Sequence, residues 1–218
     1  MNRKDIDAFL EEGEGARLEF KRKVSSPEKI ARTLVAFANT KGGSILFGVD
    51  DDKSVVGVDS EKAEVEMIKT AGSLYCDPSI DPLVDIVAYN GKDVIVVTVP
   101  ESGEKPHYLV RDEDGADGEA RALIRINDKT VIASREMIQI LEAGNANAPP
   151  LRIAIGEWER SLFEHLLKHE RVTVKEFSDL AGISLRQASR ILVRLVRAGL
   201  LRLHASEREE FYTRSFDG

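Results

Sequence analysis

The stretch from Phe37 to Asp52, FANTKGGSILFGVDDD, sets a glycine pair before a short apolar run and three aspartates after it. These residue types fit three chemistries: a loop that cradles phosphate, carboxylates that hold a metal or move a proton, or a strand closed by a polar turn. Gly43 to Gly48 reproduces the G-x-x-x-x-G spacing of a phosphate-binding loop, yet Val49 and Asp50 stand where Lys and Ser or Thr are required. A carboxylate there repels phosphate, and Ile45-Leu46-Phe47 is strand-like where a cradle needs free N–H groups. ATP binding is therefore not expected, while the carboxylate and turn readings stay open.

A second concentration of chemistry lies near the other end. Leu180 to Ser206 holds Arg186, Arg190, Arg194, Arg197 and Arg202 and no acid. The chain as a whole carries a net charge of −7, but the charge is uneven. Residues 151–218 hold 12 Lys and Arg against 10 Asp and Glu, whereas residues 1–150 hold 19 against 28. Local clustering decides what such a surface attracts, because screening confines these fields to about 8–10 Å.

The elements that must position these residues follow from periodicity. Lys4 to Leu10 reads as a short helix, and Arg17 to Arg22 as a strand with Leu18 and Phe20 inward and Arg17, Glu19 and Lys21 on the other face. Glu28 to Asn39 has helical spacing, started by Ser26-Pro27 and stopped at Lys41-Gly42-Gly43. Strands are expected at Ser44–Val49 and Ser54–Val58, a helix at Glu61–Tyr75, and a hairpin of Val84–Tyr89 with Asp93–Val99 around Asn90-Gly91. A strand at Ala122–Asn127 and a helix at Ser134–Glu142 follow, after an acidic loop at Glu113–Gly118. The order is β-α-β-β-α-β-β-β-α, a mixed α/β domain rather than a doubly wound one.

Ala143 to Pro150, AGNANAPP, has the composition of a linker. The expected domains are thus residues 1–142, a linker at 143–152, and a second domain at 153–218. In the latter, helices are expected at Gly156–His169 and Val174–Ala181, then a third from Ser184 with Gln187 as capping-box partner. Ala188, Ile191, Leu192 and Leu195 form its inward face, and Leu200–Leu203 can pair with Glu210–Thr213 as a wing. This is the pattern of a winged helix-turn-helix, whose third helix enters the major groove of DNA. Its expected nucleic-acid contacts are Leu185, Arg186, Gln187, Ser189, Arg190, Arg194 and Arg197, with Arg208 from the wing. The alternative is a solvated helix face on a module that docks a protein.

Other residues carry less. The lone Cys76 fits a small buried hydrophobe in a reducing cytoplasm. Trp158 is expected in core or inter-domain packing, and His107 in a surface loop after Pro106. His165, His169 and His204 lack metal-ligand spacing. Arg17, Lys21, Lys23, Lys29, Arg32, Lys41, Arg125 and Lys129 could form a basic groove in the first domain. With no apolar run long enough for a membrane span, the chain is expected to be soluble and cytoplasmic.

The first two thirds of the sequence resemble the Schlafen AlbA-like DNA-binding domain, also called the divergent AAA-type domain. The resemblance rests on Glu14 followed by LEFK (Leu18–Lys21), AFANTKGGSILFGVDDD (Ala36–Asp52), VVGV (Val55–Val58), VIVVTVPES (Val94–Ser102), KPHY (Lys105–Tyr108) and IRIND (Ile124–Asp128). Relatives that join such a domain to a C-terminal winged helix look like transcriptional regulators. Some family members are metal-dependent endoribonucleases, and the resemblance places their carboxylates on Glu14, Glu19 and Asp51, with Asp50 a substitute. Three convergent carboxylates can hold Mg²⁺ or Mn²⁺ on a phosphodiester, and Lys21 could hold a phosphate oxygen.

The leading expectation is a DNA-binding transcriptional regulator, acting as a homodimer on DNA, with RNA also a candidate partner and no cofactor required for binding. Lys21 and Lys41 are the nucleic-acid contacts expected of the first domain. The alternatives are a metal-dependent nuclease using Glu14, Glu19 and Asp51, and a protein-interaction adaptor.

Overall fold

Ser26 sits in extended backbone, accepts the Lys29 N–H on its side chain, and hands the chain to Pro27, whose fixed φ suits a first helical turn. The helix that follows ends near Gly42, at φ +70°, where a Cβ would stand 2.6 Å from the Val99 carbonyl oxygen. Between these signals Ile30, Leu34, Val35, Phe37 and Ala38 are all buried, so this helix is enclosed and not merely half-covered.

The computed structural model describes residues 1–110, 120–145, 151, 153–206 and 209–215. It divides into two units, Met1–Ala133 and Ser134–Gly218. The first contains α1 (Arg3–Glu12), β1 (Leu18–Lys21), α2 (Pro27–Asn39), β2 (Gly43–Phe47), α3 (Glu61–Leu74), β3 (Cys76–Asp77), β4 (Leu83–Tyr89), β5 (Lys92–Val99), β6 (Tyr108–Leu109), β7 (Arg121–Ile126) and β8 (Lys129–Ile132).

One sheet has the order β1-β2-β5-β4, and the other β3-β6-β7-β8. The β1–β2 pair is parallel, with Leu18 opposite Ser44, because α2 carries the chain back across the sheet; the remaining pairs in both sheets are antiparallel. Helix α2 packs Phe37 and its neighbours against Ile45, Phe47, Ile95 and Val97 of the first sheet and Leu109 and Leu123 of the second. On the opposite face of the first sheet, Ile6 of α1 packs with Leu18, Phe20, Leu46, Val94 and Val96. Each such side chain contributes about 1.5–3 kcal/mol by leaving water. A sheet covered on both sides explains why Glu19, opposite Leu18 and Phe20 in the pleat, is also buried.

The fold is mixed α and β, as the periodicity implies, but two local expectations change. Ser54–Val58 forms no strand; Val55 makes a single bridge to Val49. The chain there turns inward so that the N–H groups of Val56 and Gly57 both donate to the Gly48 carbonyl, at 2.8 and 2.9 Å. Gly48, at φ +92°, permits this approach, since a Cβ would lie 2.9 Å from the Gly57 carbonyl carbon. The short strands β3, β6 and β8 add a second sheet that the sequence pattern does not mark.

The second unit contains α4 (Arg135–Ala143), α5 (Glu157–Lys168), α6 (Val174–Ala181), α7 (Leu185–Arg197), β9 (Leu201–Ala205) and β10 (Glu210–Arg214), the last two paired antiparallel. Helix α4, placed by the sequence pattern at the end of the first domain, belongs here and packs on α7. The expected capping box is present: Ser184 takes the Gln187 N–H while the Gln187 side chain takes the Ser184 N–H, both at 3.3 Å. Ala188, Ile191, Leu192 and Leu195 are buried with Leu162, Phe177 and Tyr212. The expected linker residues 146–150 and 152, and the acidic loop at 113–118, lie outside the described residues.

Candidate nucleic-acid interface and carboxylate residues

The Glu14 carboxylate accepts the N–H of Phe20 at 2.8 Å. Strand β1 is at the edge of its sheet, so this side chain supplies the acceptor that a neighbouring strand would otherwise provide. Glu19 is 8% exposed, and both its oxygens are engaged. Its Oε2 lies 2.5 Å from Nη1 of Arg125, and its Oε1 pairs with Lys21 and accepts from the Thr33 hydroxyl at 3.5 Å. Arg125 is anchored in turn: Nε and Nη2 donate to the Gly15 carbonyl at 3.3 and 3.1 Å, and the guanidinium lies 5.3 Å from the Phe37 ring centroid.

The aspartates form a turn. Asp50 pairs with Arg22 and accepts the Asp51 N–H, and Asp52 accepts the Ser54 N–H at 2.8 Å; the Ser54 side chain first, and then this N–H, hold the Asp52 carboxyl below the usual range. The Asp51 side chain is exposed. Among the described residues no three His, Cys, Asp or Glu side chains are gathered to hold a metal ion. The divalent ion that the resemblance implies does not fit here, because Glu19 already satisfies two cations and Glu14 spends an oxygen on the backbone.

Two residues beneath this surface fix its shape. Asn39, fully buried, donates to the carbonyls of His107 and Leu123 at 2.8 and 2.9 Å and accepts the His107 N–H at 2.7 Å. His107, expected in a surface loop, is 3% exposed, with its ring nitrogens 2.7 Å from the Pro78 carbonyl and the Ser102 hydroxyl. Nothing in the sequence spacing marks Asn39, since its partners lie 68 and 84 residues away.

Three of the eight cations expected to form a basic groove, Arg17, Lys41 and Arg125, lie together, joined by Lys105, which is not among them. Arg17, Lys41, Lys105 and Arg125 line a cavity of about 370 Å³. Lys41 and Lys105 share the Glu101 carboxylate, at 3.3 and 2.6 Å, and hold that carboxyl below its usual range, Lys105 more strongly. Lys21 is committed to Glu19.

On α7, Leu185, Arg186, Gln187 and Arg190 are exposed. Three other expected contacts on this helix are placed differently. Ser189 is buried and donates to Glu136 of α4 at 2.6 Å, so it faces the protein. Arg194 pairs with the buried Glu159, and Arg197 is half-buried beside Val196 and Ile140. Ser189 and Arg194 are turned to partners on α4 and α5, which the arginine count alone does not reveal. Arg202 is exposed on β9, and Arg208 lies outside the described residues. Trp158, expected in packing, is 44% exposed.

The sequence model of the family described as Schlafen, AlbA_2 matches residues 14–134. The chain belongs to the Schlafen AlbA_2 family. The matched span includes Glu14, Glu19, the glycine-flanked β2 and Arg125, and ends one residue past the first unit. Among solved structures, the chain is similar to the DIP2311 protein from Corynebacterium diphtheriae, at 16% identity and a TM-score of 0.46 over 68% of this chain and 34% of that one. The chain thus spans about a third of that protein. It is also similar to the N-terminal domain of a RecG-related protein from Nitrosomonas europaea, at 20% identity and a TM-score of 0.41 over 62% of this chain and 96% of that one. No curated protein matches. Among the described residues no helix is long and apolar enough to cross a membrane.

Proposed function

We propose that this protein binds nucleic acid, and that its second unit is a winged helix-turn-helix that reads duplex DNA in a transcriptional regulator. In this reading α6 and α7 are the helix-turn-helix, β9 and β10 are the wing, and the AlbA_2 domain supplies assembly or a second nucleic-acid surface. A homodimer matches the two-fold sites such modules bind, and the cytoplasm is its compartment.

The observation that carries the reading is the first half of α7. It exposes Arg186, Gln187 and Arg190 together, with no acid in its first turn. A cation in the first turn opposes the helix macrodipole. A DNA phosphate or guanine edge offsets that cost, and arginine binds both with paired hydrogen bonds. Binding rather than cleavage is favoured because Glu19, the most buried of the three carboxylates, is neutralised within the fold.

The test is fluorescence anisotropy of a labelled duplex titrated with the full chain at several salt concentrations. Binding that weakens steeply with salt supports the proposal, as counterion release requires. Salt-insensitive binding, or none, removes it. Sedimentation at tens of micromolar tests the dimer, and a monomer alone would refute that part.

A further inference from the structure

A groove of about 570 Å³ in the second unit is lined by α4, α6 and the first half of α7. Arg135 of α4, Lys175 of α6, and Arg186 and Arg190 of α7 all border it. All four are exposed, and among the described residues none has an ion-pair partner. The one acid in the lining, Glu136, has its Oε1 occupied by the Ser189 hydroxyl at 2.6 Å. Two of these cations are outside the arginine cluster of the sequence: Arg135 lies 51 positions before Arg186, and Lys175 lies 11 before it.

Their placement is fixed by the fold. Ser134 caps α4 by accepting the Met137 N–H at 3.0 Å, which sets the first turn of that helix. The next residue but one, Glu136, is tied to α7 through Ser189, so Arg135 is held beside the α7 N-terminal half. Lys175 is positioned likewise, by the capping box in which Thr173 and Glu176 exchange bonds at 2.7 and 3.2 Å. Like charges brought together without internal partners repel one another, and a polyanion relieves that repulsion.

We propose that Arg135 and Lys175 are phosphate contacts of the duplex bound by α7, so that α4 is a working part of the nucleic-acid interface. This rests on the proposed reading of α7. Arg186 and Arg190 meet base edges or the nearest phosphates, while Arg135 and Lys175 bind the backbone on either side of the groove. Phosphate contacts position a protein without reading sequence, so the two pairs differ in what they control.

The experiment uses the full chain and a labelled 30-base-pair duplex of mixed sequence, with Arg135→Ala/Lys175→Ala and Arg186→Ala/Arg190→Ala variants compared from about 0.05 to 0.5 M salt. Losing two phosphate contacts lowers the slope of log affinity against log salt by about two, which is roughly 60-fold in affinity at 0.1 M relative to a 1 M reference. Arg135→Lys/Lys175→Arg retains the slope, which separates charge from local packing. An unchanged slope in the first variant, alongside lost binding in the second, overturns this inference and leaves the α7 reading standing. If the wild-type chain does not bind the duplex, both fall.

Discussion

Glu19→Gln keeps the shape of the side chain and removes the charge that Arg125 depends on. The Arg125 side chain is 2% exposed and that of Glu19 10%, with 2.5 Å between them, so the guanidinium cannot turn to water. Leaving a buried charge uncompensated costs about 3–5 kcal/mol. With a urea dependence near 2 kcal/mol per molar for a unit of this size, the unfolding midpoint of the first unit falls by about 2 M. Far-UV circular dichroism follows the transition, and the single tryptophan, Trp158, reports the second unit in the same samples. Glu19→Leu/Arg125→Met removes both charges together and recovers most of the loss. Glu14→Gln retains an acceptor for Phe20 and costs less than about 1 kcal/mol. A Glu19→Gln protein with an unmoved midpoint would refute the account of Glu19 as a structural partner of Arg125 and return it to the candidates for metal chemistry.

Asn39→Ala leaves a buried N–H and two buried carbonyls without partners, at about 1–3 kcal/mol for each unsatisfied group; a urea midpoint unchanged by this substitution would contradict the role given to its amide. Cys76 is buried and its thiol is pushed up to about 12 by desolvation, so a thiol reagent at pH 8 is expected to label it only as fast as the unit opens, whereas immediate stoichiometric labelling would disprove this. The Glu64 carboxyl is held above its usual 4.5 chiefly by burial, and its Oε2 has no partner. The folded state therefore binds this proton more tightly than the unfolded chain, a stabilisation present at low pH and lost as pH rises through the raised value. Urea titrations from pH 4 to 7 should show Glu64→Gln gaining on the wild type as pH rises, and a difference independent of pH would count against the assignment.

The parts of the fold legible in the sequence are those encoded within a few residues. Ser26-Pro27 and Ser184 with Gln187 specify helix starts through bonds three positions apart, and Asn90-Gly91, at φ +51° and +78°, specifies the β4–β5 hairpin. The two-residue strands β3 and β6 fall below any periodicity, and β8, Lys-Thr-Val-Ile, lacks the apolar alternation that marks the equally short β1. The alternation at Leu18–Lys21 correctly turns Glu19 away from Leu18, but it carries no sign that Arg125 arrives from 106 residues away. In the second unit the spacing of Ala188, Ile191, Leu192 and Leu195 locates the buried stripe of α7. It does not show that α4 widens that stripe to bury Ser189, through a bond to a residue 53 positions earlier. Long-range pairing of this kind turns Ser189 from an expected surface contact to the interior and sets Arg135 beside the first half of α7.

The most direct test of the central claim is duplex DNA affinity measured for the wild type, Arg186→Ala and Arg190→Ala at fixed salt. The account predicts that each substitution weakens binding by about 1–3 kcal/mol while leaving the unfolding free energy of the second unit within about 0.5 kcal/mol of wild type, since both side chains are exposed. Affinity that is unchanged in both variants would contradict it.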